Sequence, residues 1–537
     1  MAATAELPAL NADAIATACE VLKAAVALPV EQYESNPALR PLRQAIGPLL
    51  ARSLGRTYDG AGPQGKDKDA ARKAHRRQAN RHRQQAVAAE RAAADRSALR
   101  AQRLARLAAS AAEGDVPRIA DGPATVPTPA IEDESDAGGA AWSLACCYAC
   151  RTRFPATATH AFYGAAFCPA CAQLNFEKRT QTADLRGRGA LVTGARVKIG
   201  FRVALKLLRA GATVVATSRF PADCARRFAA EPDADDWRDR LRCVGCDFRD
   251  LGAVEALCAA VPELLGCGLD VLVNNACQTV RRPPQYYAET VAREAKLRKA
   301  IGNASLPLLE GASEDIEVTE DVALMRAWTA KAPTTSDPAL RALLCVAPGD
   351  DVRNDAAFPR GLRDANADLG EQLDLRRANS WTSKLEDVST PELAEVFAIN
   401  ALAPFVINSK LIPVLKNGAS DERRRFVINV SAMEGKFYRQ KQPTHPHTNM
   451  AKAALNMMTK TSAAALAESF VYMTSVDTGW VNDEKPNHLA VDHASKHNFQ
   501  TPIDEIDAAS RILDPVFGKH EPPLHGVFLK DYEETEW

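Results

Sequence analysis

The spacing of apolar residues changes along this chain and divides it into stretches of different character. Up to residue 54, Ile15, Ala18, Leu22 and Ala25, then Leu39, Leu42, Ile46 and Leu49 beyond Pro37, recur at helical intervals. This predicts a small helical region over 1–54. From Ala70 to about Ala112 the chain is rich in Ala, Arg and Gln, with almost no apolar stripe before Leu99, so a long, solvated basic helix is expected over 66–112. Residues 113–140, rich in Pro, Asp, Glu, Ala and Gly, read as a flexible linker. From Asp184 onward, short apolar runs alternate with amphipathic stretches, the pattern of a parallel sheet covered by helices on both faces. The predicted class is therefore α/β, a doubly wound parallel sheet preceded by smaller units.

At 537 residues the chain exceeds one ordinary core, in keeping with several units. Its 67 basic and 67 acidic residues balance, so the whole chain gives no call for nucleic acid, membrane or a strongly charged substrate. The balance hides a local excess: Lys66 to Arg106 holds thirteen Lys/Arg against four Asp/Glu, concentrated in KAHRRQANRHRQQ. That helix could meet a polyanion or a protein partner or serve nuclear import. The plainer reading is a charged spacer, because aromatic stacking residues are absent. No uninterrupted apolar run approaches the roughly 20 residues of a membrane span, and Glu6, Asp13 and Glu20 argue against a transit peptide. A cytoplasmic location is expected, the nucleus being the alternative, with no membrane partner. In such a reducing compartment, paired cysteines read as metal ligands rather than disulfides.

One such constellation stands at 141–180. In CYACRTRFPATATHAFYGAAFCPAC, Cys147 and Cys150 are followed, after seventeen intervening residues, by Cys168 and Cys171. Two CxxC pairs can bring four thiolates to one tetrahedral point, and the spacer lets a short hairpin turn back. A zinc-ribbon-like knot is expected, with zinc favoured over iron because no further cysteines cluster there. Cys146 could replace Cys147 in the first pair. Four sulfurs leave no place for water, so the role is structural. A second CxxC, Cys243 and Cys246, ends a predicted strand rather than opening a helix and reads as buried thiols.

The run from 184 to 535 carries a series of linked motifs. GALVTGARVKIG sets a strand before a glycine turn and a helix, the order that a dinucleotide pyrophosphate requires. VVATSRF, CVGCDF and LDVLVNNAC follow as further strands, then LAEVFAINALAPF, FVINVSAMEG, NMAKAALNMM, VYMTSVDTGW and HGVFLKDY. Together these resemble the short-chain dehydrogenase/reductase family, whose fold is a Rossmann-like sheet. The resemblance implies that Thr193, Gly194, Arg196, Lys198, Ile199 and Gly200 line the cofactor turn. It further implies that Asp247, beside Phe248, receives the adenine amine, that Asn274, Asn275 and Ala276 close the fourth strand, and that Lys452 holds the ribose hydroxyls and Asn400 is the helix asparagine. Arg219, just after the second strand, can pair with a 2′-phosphate, so NADP(H) is expected over NAD. A homo-oligomer through the helices near Asn400 and Lys452 is also implied.

Three positions depart from the family pattern. Lys198 replaces the middle glycine of the turn, where its side chain would either crowd the pyrophosphate or offer it a charge. Ala432 replaces the second serine after the fifth strand, leaving Ser431 one position early, where alternation along a strand would turn it to the other face. Thr448 stands four residues before Lys452, where the family has its tyrosine, and a threonine hydroxyl is too weak an acid to take over. Tyr438, His445 and His447 lie on the segment leading into that helix, and His447 is the first candidate for the proton. An insertion from 281 to 390 is expected to cover or narrow the substrate pocket, with Glu314 to Pro348 mobile. Two functions follow. One is an NADP(H)-dependent oxidoreductase acting on a small carbonyl or alcohol, with a rearranged proton relay of Lys452, Asn400, Ser431, Thr448, and His447 or Tyr438. The other is a catalytically silent dinucleotide-binding scaffold acting through the zinc knot and basic helix.

Overall fold

The computed structural model describes residues 97–111, 144–156, 158–301, 329–330, 337–364, 371–437, 441–497 and 500–537, with a few positions before residue 82. Two compact units divide between Gln85 and Ala86, and the second holds everything discussed below. The linker over 113–140, most of the basic stretch and most of the helical region over 1–54, apart from a helical run at 19–24, lie outside the described residues. So does Tyr438.

The end of the basic stretch is helix α1 (Ala98–Ala111), and its start is docked rather than solvated. Ser97 and Leu99 are buried, Ala98 N and Leu99 N donate to Ala161 O and Phe162 O, and Arg103 donates to Thr501 O and Ile503 O. The expectation of a free helix fails here because Leu99 begins the only apolar stretch in the region. The knot follows: an antiparallel hairpin of β1 (Leu144–Cys146) and β2 (Arg153–Pro155), then helix α2 (Pro169–Thr180). Its core is aromatic, with Phe154, Phe162, Tyr163 and Phe167 buried together with Leu99.

The knot is not a separate bead. Tyr163 donates to Asp507 at 2.6 Å, and the buried Arg179 guanidinium grips Asp504 at 2.7 Å and Asp507 at 3.0 Å. Both carboxylates belong to the entry of a later helix, where Asp504 is the N-cap. Isolated buried charges would be prohibitive, so these pairs fix the docking of the two parts.

The remainder alternates strand and helix: β3 (Gly189–Val192), α3 (Lys198–Arg209), β4 (Thr213–Ser218), α4 (Pro221–Ala229), β5 (Leu241–Gly245), α5 (Leu251–Leu265), β6 (Val271–Asn274), α6 (Pro284–Ala300) and β7 (Thr329–Ala330). There follow α7 (Thr390–Phe397), α8 (Ala403–Lys416), β8 (Arg425–Ser431), α9 (Pro446–Ala467), β9 (Val471–Asp477), α10 (Asn487–His497), α11 (Glu505–Phe517), β10 (Phe528–Lys530) and β11 (Glu533–Thr535). The nine strands run in the order β11-β10-β9-β8-β6-β3-β4-β5-β7, parallel except for the β10–β11 hairpin. Fully apolar strands such as Gly189–Val192 are buried on both faces, as a doubly wound sheet requires. α3 and α11 cover one face, α5, α8 and α9 the other.

Thr390–Lys416 forms one long apolar helical stretch that would be long enough to cross a membrane. Its stripe of Val396, Ala403, Ile407, Leu411 and Leu415 is buried against the sheet, as in a core helix. Between its two α-helical parts lies a π-turn, Ala398–Leu402, which contains Asn400.

Candidate active site and metal centre

Strand order reverses between β3 and β6, so the crevice at their carboxyl ends is the place where an open α/β sheet accepts a ligand. A lock of hydrogen bonds shapes it. Thr193 Oγ1 accepts from Asn275 N at 2.9 Å and Ala276 N at 3.0 Å, and Asn275 Nδ2 donates to Thr193 O at 2.9 Å and Gly194 O at 3.2 Å. Gly194 has φ +68°, and a Cβ there would meet Ala276 Cα at 2.9 Å; a Cβ on Gly200 would overlap Gly194 O and Asn275 Nδ2. Lys198 holds φ +53°, the left-handed conformation for which a glycine is the usual choice, so the turn keeps its shape at the cost of strain. Ile199 packs between the sheet core and the knot. The turn and the N-terminus of α3 fit a dinucleotide pyrophosphate.

The adenosine side is built differently from expectation. Asp247 is buried, and its carboxylate is held by Arg249 at 2.7 Å, which also pairs with Glu395 at 3.1 Å. Burial alone would raise Asp247, but Arg249 and Arg219 hold it below the usual carboxylate range. The acceptor foreseen for adenine is thus already engaged by Arg249, and Phe248 beside it is buried. Arg196, also assigned to the cofactor, points into an ion cluster with Asp223 at 2.8 Å and Glu371 at 2.6 Å, where Arg227 joins Glu371 at 2.9 Å. Arg219 lies with its guanidinium 4.4 Å from the ring of Tyr287.

Tyr287 and Glu371 come from the insertion, whose described parts dock on two sides of the crevice. Helix α6 docks on the second strand–helix unit, where buried Glu294 accepts from Ala222 N at 2.9 Å and Asp223 N at 2.8 Å. Residues 379–383 reach the opposite side: Asn379 donates to Glu484 O at 3.0 Å, and Trp381 stacks on His445 at 4.0 Å. The insertion thus flanks the adenosine side as well as the substrate side expected of it. The stretch 337–348, expected to be mobile, is built into the fold: Arg298 pairs with Asp337 at 2.8 Å, and Ala339 and Ala342 pack against Phe220 and Val291.

At the proton-handling end the predicted residues come close but do not form one constellation. Asn400 is buried and exchanges hydrogen bonds with Gln278, accepting from its N at 2.8 Å and donating to its O at 3.1 Å. Lys452 donates to Val430 O at 2.7 Å. Ser431 donates to Asn456 at 2.6 Å, so its hydroxyl is bound beneath α9, and Ala432 offers nothing in its place. Asn274 donates to Asn408 and Asn429, each at 2.9 Å, and serves the core. Thr448 shares the buried face of α9 with Lys452, and its Oγ1 has no hydrogen-bond partner among the described residues. His447 Nε2 lies 3.5 Å from Glu392 Oε1. Burial would raise Glu392, but the neighbouring His447, Ser380 and Arg281 hold it low. His445 is tied to Trp381 O at 2.9 Å and is a latch for the insertion.

Sequence reasoning missed two residues here. Asp477, the last residue of β9, is buried and pushed up to about 6 by burial; its Oδ1 accepts from Met433 N at 3.3 Å, next to Ala432. A carboxylate closing the strand VYMTSVD, which carries no other charge, was the available signal. Tyr148, between the first two cysteines, accepts a hydrogen bond from Trp480 N at 2.8 Å, in the turn that follows β9. An aromatic between two metal ligands gave no hint of that reach.

The sulfurs of Cys147, Cys150, Cys168 and Cys171 all lie within 4.8 Å of one another, with Cys150 and Cys168 at 3.7 Å. The edge of a zinc–thiolate tetrahedron is about 3.8 Å, from bonds of ~2.3 Å. Cys146 is excluded: its Sγ faces Arg151 O and Cys147 O. The first pair sits on a knuckle after β1, whereas the second opens α2, with Cys168 as its N-cap, in place of a second knuckle. Hydrogen bonds from Thr152 hold Cys150 low, whereas burial raises Cys147 and Cys171. Cys243 and Cys246 are buried thiols, raised by that burial.

Residues 188–295 match the short chain dehydrogenase family. An uncharacterized protein of Acanthamoeba polyphaga mimivirus is 29% identical over 388 residues, which is 70% of this chain and 72% of that protein. A fatty acyl-CoA reductase of Mycobacterium tuberculosis is 34% identical over 103 residues, 19% of this chain and 34% of its own length. Among solved structures, a short chain dehydrogenase from Burkholderia cenocepacia in complex with NADP is 18% identical, with 64% of this chain and 96% of that chain covered and a TM-score of 0.40.

Proposed function

We propose that this chain, whose residues 188–295 match the short chain dehydrogenase family, is an NADP(H)-dependent oxidoreductase acting on a small carbonyl or alcohol through a rearranged proton relay. The observation that carries this reading is the Thr193–Asn275 lock, which holds the Gly194 turn open before the N-terminus of α3. Structure kept only for folding would not need a turn shaped to admit phosphate. Arg219, just after β4, supports a 2′-phosphate.

A bound nicotinamide would supply the hydride. This chain's residues then position the substrate and deliver the proton. Lys452, fixed by Val430 O, stands ready for the ribose hydroxyls, and Asn400 holds the Gln278 segment. His447, with Glu392 behind it as an orienting carboxylate, hands a proton to the carbonyl oxygen beside Thr448. The four cysteines hold zinc in a structural role. Exposed Leu402, Phe405, Met450 and Met457 on α8, α9 and the π-turn offer an apolar face for a second copy.

A specific observation favours the alternative, a dinucleotide-binding scaffold without turnover: the Ser431 hydroxyl is consumed by Asn456, and no phenol stands at Thr448. Titrating the zinc-loaded protein with NADPH, NADP⁺, NADH and NAD⁺ by fluorescence and thermal shift separates the readings. Tight NADPH binding, weakened in Lys452→Ala and Arg219→Ala, with turnover in a carbonyl screen that His447→Gln lowers at least tenfold, supports the enzyme. Binding without turnover leaves the scaffold, and no dinucleotide response removes both.

A further inference from the structure

The turn that follows β9, Thr478 to Val481, is held from the knot at three points. Trp480 N donates to Tyr148 OH at 2.8 Å. Val481 is buried within the knot's aromatic cluster, beside Phe167 and Ile503. Thr478 O accepts from Arg511 Nη1 at 3.2 Å, and Arg511 in turn is oriented by Asn175 of α2, which accepts from its Nη2 at 2.8 Å. Tyr148 itself has little freedom. It stands between ligands Cys147 and Cys150, its backbone N donates to Ala166 O at 2.9 Å, and its ring lies edge-on to Phe167 at 5.7 Å. The same turn directly follows Asp477 and lies at the carboxyl end of the strands, on the rim of the crevice.

We infer that the four-cysteine centre is a strut of the ligand cleft, and that Tyr148 is a positioning residue through which a bound zinc ion fixes the Thr478–Val481 turn. The mechanism is geometric. Four bonds to one ion define the knuckle's backbone to a fraction of an ångström, and the phenol carries that position to the Trp480 amide. Without the ion, the thiols at 147 and 150 have no common point to converge on, and a hairpin of three-residue strands cannot hold Tyr148 alone. The strut rests on the zinc occupancy proposed above but not on dinucleotide binding, so the two can fail separately.

Amide hydrogen exchange on the full chain tests it, with zinc content measured on each sample. Tyr148→Phe keeps all four thiolates and the ring. It should retain stoichiometric zinc while the Trp480 amide exchanges roughly five- to tenfold faster, the loss of one ordinary hydrogen bond, with β9 unchanged. Stripping zinc should speed exchange across Thr478–Val481 at least as much. The strut is overturned if the purified protein binds no zinc, if Trp480 exchange in Tyr148→Phe matches the parent, or if zinc removal leaves the turn unmoved. An NADPH titration of the same samples reads the functional proposal independently: a parent that ignores NADPH while its turn follows Tyr148 keeps the strut and loses the cofactor.

Discussion

The two ends of the crevice have fared differently. At the turn between β3 and α3, the contacts among Thr193, Gly194, Asn275 and Ala276 form a closed set, and even Lys198 adopts the backbone conformation that a glycine would take. Along β8 and α9, by contrast, the backbone is in place and the chemistry has changed: Thr448 for a phenol, Ala432 for a hydroxyl, Ser431 bound to Asn456. The difference teaches which constraints are shared. A phosphate-binding turn is made of main chain, so replacing one residue disturbs many neighbours. A proton donor is one side chain and can be exchanged without unsettling the fold.

Rebuilding the damaged end is the strongest way to sharpen this contrast. Thr448→Tyr combined with Ala432→Ser should raise carbonyl-reducing turnover on the order of 100-fold, the contribution expected of a general acid, measured as NADPH oxidation with a melting curve to confirm folding. No gain in a well-folded variant would mean that the loss extends beyond those two groups. Breaking the intact end should cost stability and cofactor together: Gly200→Ala forces a Cβ into Gly194 O and Asn275 Nδ2 and should destabilise by about 3 kcal/mol, seen in urea unfolding together with lost dinucleotide binding.

Asp477 offers a titration. Its folded-state value, raised to about 6 from an ordinary 3.8, means that its contribution to stability is fully present at low pH and is lost as pH rises through about 6. Asp477→Asn cannot ionise, so the variant should gain about 2 kcal/mol relative to the parent between pH 4.5 and 7.5. Equal pH slopes for the two proteins would refute burial as the cause. The smallest effect belongs to Lys198→Gly, which should stabilise by about 1 kcal/mol by removing left-handed strain, detectable as a small rise in melting temperature.

Which features could be read from the chain follows from the same physics. Strands such as GALV, and VLVN up to its closing asparagine, are apolar because helices cover both faces, and that pattern needs no distant partner to be recognised. The cysteine spacing was equally local, and the four sulfurs converge as expected. What escaped were pairings across long separations. Arg249 reaches Glu395, Glu371 takes Arg196, and Tyr148 reaches Trp480 across more than three hundred residues. Each partner is an ordinary surface-type residue in its own segment, and only the fold gives it a buried neighbour. The docking of the helix that starts at Ala98 was hidden for the same reason, since a single leucine carries it.

The sheet's outermost strand on the β10 side, Glu533–Thr535, turns back antiparallel and sets Glu533 and Glu534 in solvent. A second sheet that tried to add itself there would have to bring its own backbone against two carboxylates, which discourages open-ended stacking of one molecule on the next. That edge of the sheet is thereby guarded against strand addition by a pair of charges rather than by a covering helix.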